Sequence, residues 1–315
     1  ISFSQFTEYP VTLENCSYIT FDNLSAKYFR NGFLNGIGNH ITVSNCCLSG
    51  LGGNAAVSLI GDYNTIKGCL LHDLAAKGIT VRAGDVATQT FGNTTVIDNI
   101  IYEWQQIYTV YNAAIDINGY GILVSHNEMH DSPHVAVEVS GGQCVIEYNL
   151  IYNCCRESSD CGAVHTLGYF TWYDNVYRYN VMHDVKDLVH EPGWGNGVYF
   201  DCWGRFWSAY GNLFYNIAGT ALCGASGYMD LHDNICVNVG GPINIVYWGT
   251  KEMPDFYDNE SWMKNDIRLY DYHSQLWRYT SSRTLLFAEV GNSRFQTGGH
   301  APVEQRMQIA QRHAT

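Results

Sequence analysis

The sequence predicts an all-β fold, a parallel β-helix of about nine coils that is closed by a C-terminal cap. Three observations lead to this fold class. A short motif recurs at intervals of 22 to 32 residues, its residues alternate in the manner of strands, and the composition suits strands joined by tight turns. Glycine (31 residues) and tyrosine (23) are abundant and proline (6) is scarce, as expected for many short strands and turns.

The repeated motif consists of apolar residues, an asparagine and then two mostly apolar residues. Its basic unit of 22 or 23 residues, with longer units in between, is typical of a solenoid. We interpret the asparagine position as an internal ladder, because stacked amides can hydrogen-bond to one another and to turn backbone. The position recurs, with glycine once, at Asn23, Asn45, Gly68, Asn99, Asn127, Asn149, Asn180, Asn212 and Asn234.

The segments between these positions favour strands over helices. Residues 113–117 and 135–139 alternate or form short apolar runs, whereas a helix would repeat apolar residues at i, i+3, i+4 and i+7. Each repeat is therefore predicted to form one coil of two or three strands, stacked on the next at about 4.8 Å. Some coils carry extra residues, which in a solenoid form loops on one side, often the binding side. The longer coils follow Gly68, Asn99, Asn149 and Asn180.

The repeat ends near residue 250. We assign residues 1–250 to the β-helix domain and residues 251–315 to a C-terminal cap, or to an extension that is cut short. An open solenoid end exposes unpaired strand edges, so it must be covered. The chain starts at Ile1 with no visible signal peptide, which is typical of a mature form or an excised fragment.

Charge and cysteine content exclude several classes of protein. The net charge is −13, with 30 acidic residues against 17 Lys and Arg, and a nucleic-acid binder would need a basic surface. No run of about 20 apolar residues is present, so no membrane span is expected. The 11 cysteines show neither a CxxC motif nor a zinc spacing. We interpret them as buried thiols, and we expect a monomer without cofactor or metal.

Acidic, aromatic and imidazole side chains are concentrated between Asp160 and Arg205, where two long repeats follow each other. Such a concentration on the loops of a repeat predicts a sugar site, with tryptophans that stack on sugar rings. Aligning the strands after the long turns also predicts one outward-facing column of side chains. This column consists of Arg82, Asp116, Glu138, Thr166 and Asp201.

Two pairs of carboxyl groups are candidates for glycoside hydrolysis. The reaction needs two such groups, about 5–5.5 Å apart for retention or about 6.5–9.5 Å apart for inversion. Asp160 and Asp201 lie on adjacent coils, but six positions apart along the strand direction. Glu138 and Asp201 are in register in the alignment but two coils apart, at about 9–10 Å. The residues alone leave both pairs open.

The stretches GAVHTLG, YNVMHDV and GWGNGVYFD follow one another at coil spacing. Together they resemble bacterial right-handed parallel β-helix proteins of the glycoside hydrolase family that includes α-L-fucosidases and a xylanase. The resemblance covers about residues 10–250 and implies a right-handed parallel β-helix that degrades polysaccharide. It also implies that Asp160 and Asp201 are the catalytic pair, because they match the acids of the family's two strand motifs.

The leading functional hypothesis is a glycosidase in which one of Asp160 and Asp201 is the general acid and the other the nucleophile or base. The alternatives are a polysaccharide lyase, with Arg82, Asp116 and Glu138 around a uronate, and a non-catalytic carbohydrate-binding rod. We expect a secreted or cell-envelope protein that binds an oligo- or polysaccharide. The residues expected to contact the substrate are Glu138, His165, Trp194, Trp203, Arg205 and Asp116.

Overall fold

The computed structural model describes residues 5, 7–167, 172–190, 193–201, 206–225, 229–246 and 285–287 of the chain. These residues form strands and no helix, so none of them forms an apolar helix that could cross a membrane. Apart from one isolated antiparallel bridge between Asp85 and Thr90, the strands pair in parallel. The predicted all-β parallel β-helix is therefore confirmed.

The strands form three columns, because each coil adds one strand to each of three faces. Neighbouring strands within a column come from successive coils and run parallel. Face 1 carries the longest regular strands before the C-terminal coils. It consists of β1 (Val11–Ser17), β4 (Leu34–Asn39), β7 (Ala55–Ile60), β10 (Lys77–Ala83), β13 (Ile115–Tyr120), β16 (Val137–Gly142), β19 (Gly162–Leu167) and β22 (Asn196–Asp201).

The other two faces are built from shorter strands. Face 2 is a nine-stranded sheet of β2 (Thr20–Asp22), β5 (Thr42–Ser44), β8 (Thr65–Lys67), β11 (Thr95–Ile97), β14 (Leu123–Ser125), β17 (Val145–Glu147), β20 (Val176–Arg178), β23 (Trp207–Tyr210) and β25 (Met229–His232). Face 3 contains β3 (Ser25–Lys27), β6 (Cys47–Leu51), β9 (Leu70–Leu74), β12 (Ile100–Tyr102), β15 (Glu128–His130), β18 (Leu150–Tyr152) and β21 (Val181–Val185).

Two long strands join face 3 to face 1 in the last coils. The first, β24 (Leu213–Ala225), pairs with both β21 and β22, and it pairs along its length with β26 (Ile235–Val246). The short strand β27 (Leu285–Phe287) pairs with β26. The other residues of the predicted cap, 251–315, lie outside the described residues, so the predicted domain boundary stays a prediction.

Alternation fixes which side chains of face 1 point inward. Strand pairing aligns one apolar residue of each strand with an apolar residue of the next strand. We call the aligned residues the inner column, and all its members are fully buried. Each buried aliphatic side chain contributes about 1.5–3 kcal/mol, and the column therefore sets the register of the residues between its members. Its members are Val57, Ile79, Ile115, Val137, Val164, Val198 and Leu222.

The predicted amide ladder exists, but it is shorter than expected. Each backbone N–H of the ladder donates to the side-chain oxygen of the next asparagine at 2.9–3.1 Å, and each side-chain amide donates to the same oxygen. We call this set the amide ladder. It consists of Asn99, Asn127, Asn149, Asn180, Asn212 and Asn234.

The prediction was wrong for the first three positions. Strand pairing places Asn23, Asn45 and Gly68 one residue earlier, in a corner column with positive φ (55°, 54° and 62°). Asparagine and glycine favour such left-handed corners. In these early coils the recurring asparagine or glycine is therefore a corner residue and not a ladder residue. The ladder sites of two early coils are instead cysteines. The Cys69 N–H donates to Asn99 at 2.9 Å, and the Cys46 N–H donates to the Cys69 sulfur at 3.4 Å.

The ten cysteines among the described residues are free thiols, and seven of them are buried. This agrees with the predicted buried thiols, although Cys46 and Cys69 also accept or donate hydrogen bonds. Burial raises the pKa of the Cys69 thiol to about 12. The Cys69 thiol therefore stays protonated at neutral pH and acts as a structural group.

The long loops flank the outward side of face 1. Segments 103–114, 153–161 and 186–195 precede β13, β19 and β22, whereas segment 84–94 follows β10. The prediction that the extra residues share one side was therefore only partly correct, because they lie at both ends of the face 1 strands. We call the outward surface of these strands, between the loops at their two ends, the groove.

Candidate active site

The outward side of face 1 carries one continuous column of polar residues, which differs from the predicted column. Asp116 pairs with Glu138 as predicted, but Glu138 pairs with His165 and not with Thr166. Thr166 points inward, is fully buried and bonds to the Tyr177 hydroxyl. A one-residue slip in an alignment turns a strand residue to the other face. The inner apolar column, which fixes the true register, excludes that slip.

Arg82 and Asp201 were also predicted to be in register with Asp116 and Glu138, but they are not. Arg82 pairs with Asn118, and Asp201 pairs with Leu167, two residues further along the strand direction. Glu138 and Asp201 are therefore not in register. We call the observed outward set the site column; it consists of Thr80, Asp116, Glu138, His165, Tyr199 and Cys223.

His165 connects two of the predicted acids. Its Nδ1 lies 3.0 Å from Glu138 Oε2, and its Nε2 lies 3.5 Å from Asp201 Oδ2. The second distance is that of an ion pair and is too long for a well-formed hydrogen bond. The His165 side chain is 2% exposed, against 14% for Glu138 and 29% for Asp201. A buried imidazole thus lies between two carboxylates that reach the groove.

The two carboxylates decide the charge of this imidazole. Burial alone would lower the pKa of His165, but the hydrogen bonds and charges of Asp201 and Glu138 outweigh burial and raise it to about 9. His165 is therefore an imidazolium at neutral pH.

Asp160 lies on the loop just before β19, and its charge acts on the same tyrosines as that of Asp201. Burial, then the charges of Asp201 and Asp160, raise the pKa of Tyr199 well above its ordinary value. Burial, then Asp160, Asp201 and Glu138, also raise the pKa of Tyr111. Asp160 and Asp201 therefore both act electrostatically on Tyr199 and Tyr111, although six positions separate the two acids in the sequence alignment.

Asp116 is already paired with a cation. Its Oδ2 lies 2.5 Å from Nζ of Lys77, and both side chains are about four-fifths buried. Lys77 begins β10, two residues before the inward-pointing Ile79. The negative charge of Asp116, which is a predicted substrate-binding residue, is therefore compensated by Lys77.

A second buried imidazole lies next to the site. His134 is 1% exposed, and its Nδ1 has no hydrogen-bond partner among the described residues. Burial, with a smaller contribution from the charge of His165, lowers the pKa of His134 to about 4. The Tyr111 ring packs against it at 5.1 Å between ring centroids. His134 is therefore a neutral group that supports Tyr111.

The predicted tryptophan and arginine positions are only partly covered. Trp194 lies on the loop before β22 and is 45% exposed. Trp203 and Arg205 lie outside the described residues. Within the described segments, no group of three or more His, Cys, Asp and Glu side chains has the geometry of a metal site.

Sequence reasoning missed four residues of the site: Tyr199, Tyr111, His134 and Lys77. Tyr199 was detectable, because it alternates with the inward Val198 and Phe200 in the GVYFD stretch. Tyr111 lies on a recognised insertion, but nothing in its sequence shows that the loop folds towards the carboxylates. His134 and Lys77 depend on packing between coils and have no local signal.

Comparisons with known proteins identify the fold but no family. No family model matches the chain, and no curated protein matches it. A solved structure described as a glycoside hydrolase is similar, with a TM-score of 0.51, 15% identity and coverage of 69% of this chain. The chain spans 37% of the length of that protein. This likeness supports the β-helix fold alone.

A second solved structure, an alginate lyase from Paenibacillus sp. str. FPU-7, has a TM-score of 0.46 and 11% identity. The match covers 74% of this chain and 91% of the lyase. Nothing about function follows from a likeness at this level. The family that the sequence motifs resemble stays a prediction.

Proposed function

We propose that the protein is a glycoside hydrolase that cleaves an oligo- or polysaccharide by a two-carboxylate mechanism, with Asp160 and Asp201 as the reacting pair. The observation that carries this proposal is the convergence of three carboxylates and a buried imidazolium on the outward side of face 1. The flanking loops border the groove in which a glycan would lie.

The two acids differ in their partners, which suggests their roles. The His165 imidazolium lies 3.5 Å from the Asp201 carboxylate and compensates its negative charge, so Asp201 is proposed as nucleophile or general base. Asp160 lies on the exposed loop above the site column and is proposed as the general acid that protonates the leaving oxygen. From this loop, Asp160 would approach a glycan that is bound over the outward side of face 1.

Charge favours a hydrolase over a lyase. Glycoside hydrolysis passes through an oxocarbenium-like transition state, and three carboxylates would stabilise its positive charge. A lyase must neutralise a uronate and needs a base. Lys77 and His165 already face carboxylates, and the raised pKa values of Tyr111 and Tyr199 keep both phenols protonated at neutral pH, so that neither is available as a base.

Exposed aromatic groups on the loops are suited to sugar rings. Trp194 and Tyr111 are 45% and 60% exposed, and aromatic faces bury the apolar sides of sugars favourably. Asp116 is proposed to bind hydroxyl groups at the groove floor, whereas Glu138, predicted from the sequence to contact the substrate, bonds to His165 instead. Trp203 and Arg205 remain predicted contacts.

The experiment that tests this function screens chromogenic glycosides and polysaccharides for release of reducing ends. Asp201→Asn and Asp160→Asn should each lower kcat by about 10²–10⁴-fold. Asp160→Asn should lose less on a substrate with a good leaving group, because protonation by the acid then matters less. Asp98→Asn is the matched control, since this exposed corner residue lies away from face 1.

Each alternative gives its own result. If Asp201→Asn keeps full turnover on every glycoside that the parent cleaves, the assignment of Asp201 is wrong. Product that absorbs as an unsaturated uronate would indicate a lyase. Binding of glycan without any released product would indicate a non-catalytic binding protein.

A further inference from the structure

Glu138 has a different environment from the two proposed reacting acids. Its Oε2 accepts the hydrogen bond of His165 Nδ1 at 3.0 Å, and its side chain is 14% exposed. Asp201 is twice as exposed, and Asp160 is an exposed loop residue. Glu138 is thus committed to a buried partner, whereas Asp160 and Asp201 reach the groove.

The geometry of His165 requires a proton on both ring nitrogens. Nδ1 and Nε2 both face carboxylate oxygens, of Glu138 and Asp201 respectively. A neutral imidazole donates from one nitrogen, so the lone pair of the other would point at an anion in a buried site. In the imidazolium, Nδ1–H donates to Glu138 and Nε2–H faces the Asp201 carboxylate at ion-pair distance, without a formed hydrogen bond, and this removes the repulsion.

Among the described residues, the other groups that interact with His165 do not supply a competing charge. Tyr199 on β22 packs its ring 5.2 Å from the imidazole, and its phenol is neutral because burial and nearby acids raise its pKa. His134, from the loop before β16, is neutral because burial lowers its pKa. Glu138 on β16 and Asp201 on β22 are therefore the charges that face His165 from the elements packed against it.

We infer that Glu138 is a positioning residue, which acts through the His165 imidazolium to fix the orientation of the Asp201 carboxylate. The inference rests on the proposed function, because orientation of Asp201 affects turnover only if Asp201 reacts. The sequence left Asp160 and Glu138 as two possible partners of Asp201. The inference gives them different roles: Asp160 and Asp201 are the reacting pair, and Glu138 holds the Asp201 carboxylate in place.

The first test needs no substrate. The imidazole signals of His165 are followed by NMR against pH in the full chain, labelled at histidine nitrogen. In the parent, both ring nitrogens should be protonated at pH 7. Glu138→Gln should lower the titration midpoint of His165 by on the order of one pH unit or more, since a nearby opposite charge typically shifts a pKa by this amount.

Glu128→Gln is the matched control. Glu128 lies in the same coil as Glu138 but on face 3, where it accepts the Tyr152 hydroxyl at 2.9 Å. This change should leave the His165 midpoint where it is. If Glu138→Gln does not fold, the parent titration still decides the matter: a His165 that is neutral at pH 7 overturns the inference.

The second test measures turnover. Glu138→Gln should lower kcat with little change in KM, and the alkaline limb of the kcat profile should move to lower pH together with the NMR midpoint. Glu138→Asp should restore part of both. If the midpoint moves but kcat keeps its value at every pH, Glu138 does not position Asp201. If the parent cleaves no glycoside, the proposed function fails, and with it the positioning role; the titration then reports the charge of His165 alone.

Discussion

The amide ladder and the site column run through the same coils, but they differ in sequence. The ladder has asparagine in each of its coils, whereas the site column has a different residue in each coil. From Asn99 to Asn234 the ladder keeps asparagine in six successive coils. Over an overlapping stretch, the site column contains a threonine, two carboxylates, an imidazole, a phenol and a thiol.

Hydrogen-bond chemistry explains this difference. An amide carries both donor and acceptor, so identical amides stacked at about 4.8 Å satisfy one another. Identical carboxylates at that spacing would repel. The acids of the site column are accordingly compensated, Asp116 by Lys77 and Glu138 by His165. Repetition in a β-helix thus marks groups that hold the coils together, and departure from repetition marks the candidate site.

The largest expected effect comes from breaking the ladder. Asn149 accepts from the backbone and side chain of Asn127, and its own amide donates to Val124 and Asn180 at 3.0–3.1 Å. Asn149→Ala removes the partner of the Asn127 backbone N–H and the side-chain donor to the Val124 carbonyl, at about 1–3 kcal/mol for each group left unpaired. We expect a loss of about 3–5 kcal/mol in the free energy of unfolding, measured by denaturant titration.

Asn35→Ala is the control for this loss, because Asn35 is exposed on β4 outside the ladder. It should change the free energy of unfolding by less than about 0.5 kcal/mol. Equal losses in the two variants would show that the ladder adds nothing beyond an ordinary asparagine.

The next effect concerns pH, because the two buried histidines near the site column have opposite shifts. The pKa of His165 is raised to about 9, so its contribution to stability is complete below about pH 6.5 and is lost as pH rises towards 9. The pKa of His134 is lowered to about 4, so its contribution is complete above about pH 6.5 and is lost as pH falls towards 4. Each contribution is on the order of 3 kcal/mol.

Denaturant unfolding at pH 4 to 9 measures both limbs. The alkaline decrease should begin at lower pH in Glu138→Gln, whereas the acid decrease due to His134 should disappear in His134→Gln. An alkaline limb that is the same in the parent and in Glu138→Gln would contradict the coupling between Glu138 and His165.

The smallest expected effect extends the ladder. Cys69 occupies a ladder site, and its sulfur accepts a long hydrogen bond from the Cys46 N–H. Cys69→Asn should supply a stronger acceptor and raise the free energy of unfolding by up to about 1 kcal/mol. Cys236→Asn is the comparison, because Cys236 is fully buried at an apolar site of β26. This second change should destabilise by about 1–3 kcal/mol. If both changes destabilise equally, the ladder site does not accept a seventh amide.

The sequence was sufficient for the fold, because the repeat and the strand alternation follow from residue order alone. It located Glu138, His165 and Asp201, but it placed Thr166 outward, since short apolar runs align equally well one residue apart. The burial of Val164 between Val137 and Val198 decides that register. Local sequence also could not predict that Tyr111 and Asp160 act on one site, since that depends on how two loops fold over the coils.

The plain coil from Glu128 to Asn149 has consequences for how this protein can change over evolution. It is 22 residues long, and the amide of Asn127 before it offers the same donors and acceptors as that of Asn149 at its end. Duplication or deletion of such a unit would leave both neighbours with a matching surface. The β-helix can therefore lengthen or shorten in steps of about 4.8 Å, the spacing of one strand on each face.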